Sequence, residues 1–497
     1  MAIFEAHSFS RAEADASAAG SARACCVLVA LAASLWLGGC GGDDSGASSG
    51  GAGGNGAQGG AAGSGAQSGS GGSSASGGAS GFAGAGGKTD CSASTCYYLR
   101  ADAPVGGDGT SWASAFSVFP DSPERGAVYL VGDGDYASLL LDAPESGQAA
   151  IAIRKATATD HGSDDGWNAS YGDGQASFPD VTMVSDFWEI DGRTRDESDW
   201  QRVDAYGFRV PGGFTAHTIN FGRGSKDVII RFVDVGGPAG DNFDPSIPTE
   251  GFYFGGFDAI LARWRISRSH IHNVYLPFQL AGASDVTIEH SWLGPNWSKE
   301  TIRGQGHAAR IVIRHNVFKD GCQGTPGDPT APGCTAQVAM WDGDTVGDFD
   351  ASEIYGNVIW TTKDTGHTDG CLLIGGDGGV SAAGVSANDV RIYNNTLVGV
   401  QNGTCSIRVP GSHTGVEVKN NAWFGLGSGV ASDCAGDLCE NNAVLSGTPF
   451  ANVATGDFHL AGPTQPGSVL APPYDVDPTG AKRGADGVWD LGAFEYQ

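Results

Sequence analysis

The chain has 497 residues and a formal net charge of −28, with 56 Asp+Glu against 28 Lys+Arg. So acidic a balance excludes general nucleic-acid binding and attraction to an anionic membrane surface. Its 81 glycines and eleven cysteines are unevenly spread, and that spread already divides the chain.

Residues 24–37 (ACCVLVALAASLWL) form an apolar run of signal-peptide length, too short to cross a bilayer comfortably. The run ends in Leu37-Gly38-Gly39-Cys40, which resembles a bacterial lipoprotein lipobox. The resemblance implies that 1–39 is a signal peptide cleaved before Cys40, that Cys40 is lipidated, and that the lipid is the only membrane attachment. An ordinary signal peptide is the alternative. Glu5, Glu13 and Asp15 stand where a cationic leader is expected, which suggests a start further downstream. Residues 40–88 are then a disordered Gly/Ser/Ala-rich tether, with a root-mean-square span of roughly 40 Å.

With Cys25, Cys26 and Cys40 set aside, eight cysteines remain, an even number that suits four disulfides outside the cytoplasm. Proximity in the chain suggests Cys91–Cys96, Cys322–Cys334 and Cys434–Cys439. Residues 89–215 are expected to form an N-terminal cap and loop-rich first coils, with little repeat character over 155–205.

From Ile230 to Val444 one phrase recurs eight times: aliphatic, any, any, Asn or Ser (Val233 in the first copy), any, apolar. Its copies begin at Ile230, Ile266, Ile288, Ile313, Ile354, Ile392, Val418 and Cys439. The sixth column is apolar in all eight, and the first is Ile or Val in seven. The two apolar columns are five residues apart, so both reach one core only if the chain bends between them. The Asn/Ser column is expected to mark that bend, because Asn tolerates left-handed backbone and bonds locally to it. Successive copies are 36, 22, 25, 41, 38, 26 and 21 residues apart. The short intervals suit one coil of three short strands, and the long ones a coil plus an inserted loop.

Stretches such as SDVTIEHSWLG (284–294), ARIVIRHNVFKD (309–320), NDVRIYNNTLVG (388–399) and GVEVKNNAWFG (415–425) resemble the right-handed parallel β-helix, pectate-lyase-like repeat family. The opening YYLRADAPVGGDGTSWASAF (97–116) and the closing DVDPTGAKRGADGVWDLGAFEYQ (475–497) also look like that family. The resemblance implies an all-β, single-domain right-handed parallel β-helix solenoid. Its repeats would span 216–445, with a C-terminal cap over 446–497. Cys371 and Cys405 fall at similar points in successive coils and are expected to pair.

In this family the strand leading into the repeated phrase commonly faces a sugar chain. Alternation along these strands predicts an outward column of Asn220, Tyr253, Gln279, Arg303, Ala339, Leu373 and Arg408. Tyr253, Gln279, Trp297, Gln337, Trp341 and Arg408 are the candidate substrate-binding residues, the indoles as stacking faces or as core. Elimination from a uronate needs a base for the proton α to the carboxylate and a cation for the enolate. Lys299, Arg303 and His307 supply those types within nine residues, although Lys299 and Arg303 would be roughly 13 Å apart on one extended strand. The segment 222–320, with eleven basic and ten acidic residues, is the part of the chain best suited to a polyanion.

Asp342, Asp344, Asp348 and Asp350 cluster as either a calcium site or an Asp/Gly-rich turn, at spacing unlike an EF-hand. Glu289 and Arg314 share a column in successive coils, as do His290 and His315, and both pairs are expected to stack. His270-Ile271-His272 lacks a visible third metal ligand.

The expected function is therefore binding of an extracellular uronate-type polysaccharide, with cleavage by β-elimination as its catalytic form. The alternatives are a non-catalytic adhesin or envelope scaffold, and a glycoside hydrolase using paired carboxylates. The expected location is the bacterial outer membrane or cell surface, as a monomer. The motifs of the polygalacturonases, pectate lyases and alginate epimerases are not found in the sequence.

Overall fold

The computed structural model describes residues 89, 91–215, 225–237, 250–254, 261–297, 300–305, 308–321, 336–340, 348–362, 371–374, 386–399, 405–409, 412–425 and 439–497. Among these there is no α-helix. Three long stacks of parallel strands carry the molecule. Sheet 1 stacks twelve strands from Cys96–Leu99 to Cys439–Glu440, with a side row of four short ones. Sheet 2 has eleven strands and sheet 3 nine, and each full coil visits sheet 3, sheet 1 and sheet 2 in turn.

The repeated phrase is the sheet 1–sheet 2 half of a coil. Its first column forms an in-register stack: Ile230, Ile266, Ile288, Ile313, Ile354, Ile392, Val418 and Cys439. The stack continues backwards through Ile190 and Ile153. The sixth column stacks as Val235, Ile271, Leu293, Phe318, Ile359, Leu397 and Trp423, all buried. Sheet 3 supplies the third wall with Phe252, Phe278, Ile302, Val338, Leu372 and Ile407. The Phe252 and Phe278 rings lie parallel, 5.0 Å apart. These walls enclose one continuous apolar core.

The corner between the two columns differs from expectation by one residue. Left-handed backbone falls just before the Asn/Ser column, at His290 (φ 48°), His315 (φ 56°), Asn394 (φ 52°) and Asn420 (φ 59°). The Asn/Ser side chains themselves turn inward and form a ladder. Asn316, Asn357, Asn395 and Asn421 each place Nδ2 2.9–3.1 Å from Oδ1 of the next asparagine, ending at Asn442. That same Oδ1 also accepts the backbone N–H of the preceding ladder residue. A second Nδ2 bond reaches back to a carbonyl one coil earlier, as from Asn357 to Ile313 at 2.8 Å. The ladder thus satisfies the backbone groups that the bend takes out of the sheets.

Sheets 1, 2 and 3 extend through residues 96–215 as well. There, long insertions separate the sheet 1 strand from its sheet 2 partner: Ile151–Lys155 precedes Ala176–Ser177, and Trp188–Asp191 precedes Phe208–Arg209. In the coil expected to use 217–221, sheet 3 carries the strand Phe214–Thr215, with Thr215 in register beside Tyr253, while Asn220 and the rest of 217–221 lie outside the described residues. Residues 446–497 pack along the outer faces of several coils. Phe450, Phe458 and Leu460 cover Trp360 and Val398 on sheet 2, while Tyr474 sits edge-on to both Tyr355 and Tyr393 on sheet 1. Cys91–Cys96 and Cys371–Cys405 are disulfides, with Cα–Cα distances of 5.5 and 4.7 Å. Cys439 is also disulfide-bonded. Cys40, Cys322, Cys334 and Cys434 lie outside the described residues.

Candidate functional site

In sheet 3, parallel pairing sets Leu140, Thr182, Thr215, Tyr253, Gln279, Arg303, Ala339, Leu373 and Arg408 at one register position. At about 4.8 Å per rung, Gln279 and Arg303 are neighbours and Arg408 is roughly 14 Å from Arg303. Gln279 and Arg303 are half-buried, whereas Ala339 and Leu373 are buried. The Arg303 guanidinium is held by the carboxylate of Glu300, itself 1 % exposed. An Arg fixed this way presents a charge in one orientation but shares it with its partner.

Two candidates are corrected. Trp297 is buried at 4 % exposure, so its indole faces are covered and are not a platform for a sugar ring. Gln337 is buried too. Its Nε2 donates to the Gly321 carbonyl at 3.1 Å, and its Oε1 lies 2.7 Å from Thr301 Oγ1, which makes it a corner bond between rungs. Asp350 accepts from Asn388 Nδ2 at 2.9 Å on the next rung, a sheet-edge contact. Lys299, His307, Trp341, Asp342 and Asp344 lie outside the described residues, as do the side chains of Thr215, Tyr253 and Asp348.

Glu289 and Arg314 do stack, with Arg314 Nε 2.7 Å from Glu289 Oε2 and Arg265 on the other carboxylate oxygen. Burial pushes the Glu289 carboxyl up, but Arg314 and Arg265 outweigh it and hold the group low. His290 Nε2 and His315 Nδ1 are 3.4 Å apart.

A group that the sequence reading left incomplete sits on the outer face of sheet 2. The strand Val233–Gly236 pairs with His270–His272, setting Asp234 beside His270 and Gly236 beside His272. Asp234 Oδ1 is 3.0 Å from His270 Nδ1 and 3.0 Å from His272 Nε2, and the imidazoles stack at 4.0 Å. All three side chains are buried. They offer three donor atoms within 4.8 Å of one another, the arrangement among the described residues that could hold a metal. Burial, then the neighbouring His272, lowers the His270 pKa to about 4. For Asp234 burial acts upward, and the hydrogen bonds from His270 and His272 bring it below its ordinary value. The insertion 192–207 covers this face: Tyr206 stacks on His270, and Arg195 donates to the His290 carbonyl at 2.5 Å. Tyr206 also lines a cavity of about 390 Å³ with Lys155, Asp173, Arg195, Arg202 and Asp204.

The signal for Asp234 was in the repeat. Aligning the copies at Ile230 and Ile266 puts Asp234 and His270 in the same fifth column. Compared with known proteins, the chain matches no family model and no curated relative.

Proposed function

We propose that this chain is an exported, lipid-anchored right-handed β-helix of the pectate-lyase-like kind, which binds an acidic polysaccharide along the outer face of sheet 3. The anchor reading rests on the Leu37-Gly38-Gly39-Cys40 segment, and the binding reading on the polar groups Thr182, Gln279 and Arg303 in one register column. Side chains repeating every 4.8 Å or so along a flat stack suit an extended polymer, because successive groups meet successive residues of the ligand. Cleavage by elimination is the catalytic form of this reading, with Arg303 as the enolate-stabilising cation and Lys299 or His307 as the base. Calcium at the 342–350 carboxylates belongs to the same proposal.

A scaffold without enzymatic activity is the second reading. It is favoured by the tie between Arg303 and Glu300 and by the burial of Trp297 and Gln337, which leave fewer groups facing a ligand.

Binding to a panel of uronate polysaccharides, with and without calcium, separates the two. Gln279→Ala and Arg303→Lys are each expected to weaken binding about tenfold, equivalent to one well-placed hydrogen bond. An unsaturated, ultraviolet-absorbing product would mark elimination. Absence of binding across the panel, or variants that bind like the parent, would leave the scaffold reading standing.

A further inference from the structure

We propose that Asp234, His270 and His272 form a binding site for a divalent transition ion of the zinc class, buried between sheet 2 and the 192–207 insertion. The geometry points to a coordinating face. Both imidazoles converge on the same carboxylate oxygen, each at 3.0 Å. The other oxygen, Oδ2, is buried without a hydrogen-bond partner among the described residues, and Arg209 Nε is 3.8 Å from it. A carboxylate placed for hydrogen bonding alone would spread its donors over its roughly four lone-pair sites. Each nitrogen lies 3.0 Å from the oxygen and all three atoms lie within 4.8 Å of one another, as ligands to one ion do: bonds of about 2.0–2.1 Å spanning a 3.0 Å edge subtend about 95°.

The backbone makes the convergence available. His270 and His272 alternate on one strand, so both leave the sheet on the same side. Asp234 stands on the adjacent rung beside His270. Opposite His272 the rung carries Gly236 at φ +150°, and a Cβ there would lie 1.8 Å from the His272 carbonyl oxygen and 3.3 Å from the ring's Cδ2. The missing side chain leaves the His272 ring room beside Asp234. Imidazole and carboxylate are the ligands this class of ion takes, and a dry surround strengthens their hold. The fourth position would fall to water or to a group of the covering insertion. The ion would join two rungs of the solenoid on the face that the insertion covers through Tyr206.

The test uses the untagged full chain, stripped with a chelator and dialysed against Zn²⁺ or Co²⁺ alone. One equivalent of metal per chain is expected. The cobalt form should show visible d–d absorption without the near-ultraviolet band that thiolate ligands add. Zn²⁺ should raise the Tm of the parent. His272→Gln should lower affinity at least tenfold, a loss at or beyond the range seen for disturbed ligand shells, and abolish that Tm rise. Should His272→Gln fail to fold, Asp234→Asn, of equal size, gives the same readout. A parent that binds no zinc, or variants that bind it unchanged, would overturn the assignment.

Discussion

Single buried groups set the chemistry of this molecule at its corners. His290 and His315 occupy the left-handed position of consecutive rungs, with rings in edge contact at 4.9 Å and His315 edge-on to Tyr355. Burial lowers the pKa of His290 to about 4 and that of His315, which also faces His290 and Arg314, to about 2. Both folded values lie below the unfolded value of about 6.5, so above pH 6.5 the rings are neutral in both states and contribute nothing to pH dependence. Below it the unfolded chain takes up protons that the folded chain refuses. Stability should therefore fall as pH drops from about 6.5 towards 4, by up to ~1.4 kcal/mol per pH unit for each histidine. His315→Phe keeps an aromatic edge beside Tyr355 and removes one of these protons. Denaturant unfolding between pH 4 and 7 should show a shallower decline in this variant; an unchanged slope would assign the acid sensitivity elsewhere.

At the scale of elements, each strand is two to seven residues long and stands only through its neighbours above and below. Outward faces that would otherwise expose aromatic rows are covered by chain from elsewhere. Trp360 meets Phe458 edge-on at 5.3 Å, and the Trp360–Val398 patch receives Phe450 and Leu460. Phe458→Ala should cost about 3 kcal/mol in urea unfolding, the usual range for a buried Phe truncation. A change below about 1 kcal/mol would mean that 446–497 rests loosely on sheet 2.

The same scale shows what the sequence could and could not reveal. The phrase from Ile230 onward was legible because its two apolar columns and its Asn/Ser column keep fixed spacing at a corner without insertions. The register column of sheet 3 from Gln279 to Arg408 followed from simple alternation. The coils over 151–210 were hidden because insertions of about twenty and sixteen residues split the phrase where the ladder residue would stand. Trp297 and Gln337 stand at corners, where alternation ceases and gives no direction for a side chain, and both are buried. Asp234 was overlooked because its partners come 36 and 38 residues later and meet it only through stacking.

Across the whole molecule, contacts between neighbouring rungs join the described residues from 96 to 497 within one compact unit. Nearest-neighbour coupling alone would let the ends unravel coil by coil. Here the closing segment bridges rungs: Thr396 Oγ1 accepts from the Ala493 N–H at 2.7 Å, and Tyr474 touches two rungs at once. At the centre of this body is the ladder, in which each asparagine is satisfied by the coils before and after it. Its pairwise energy can be read directly with a double-mutant cycle on Asn357 and Asn395, 38 residues apart and joined at 3.0 Å. Urea unfolding of Asn357→Ala, Asn395→Ala and the double variant should give a coupling energy of about 1–2 kcal/mol, because each single change strands the other's buried amide. Losses that simply add, within about 0.5 kcal/mol, would contradict the stacked-rung architecture on which the sheet 3 face and the Asp234 site both depend.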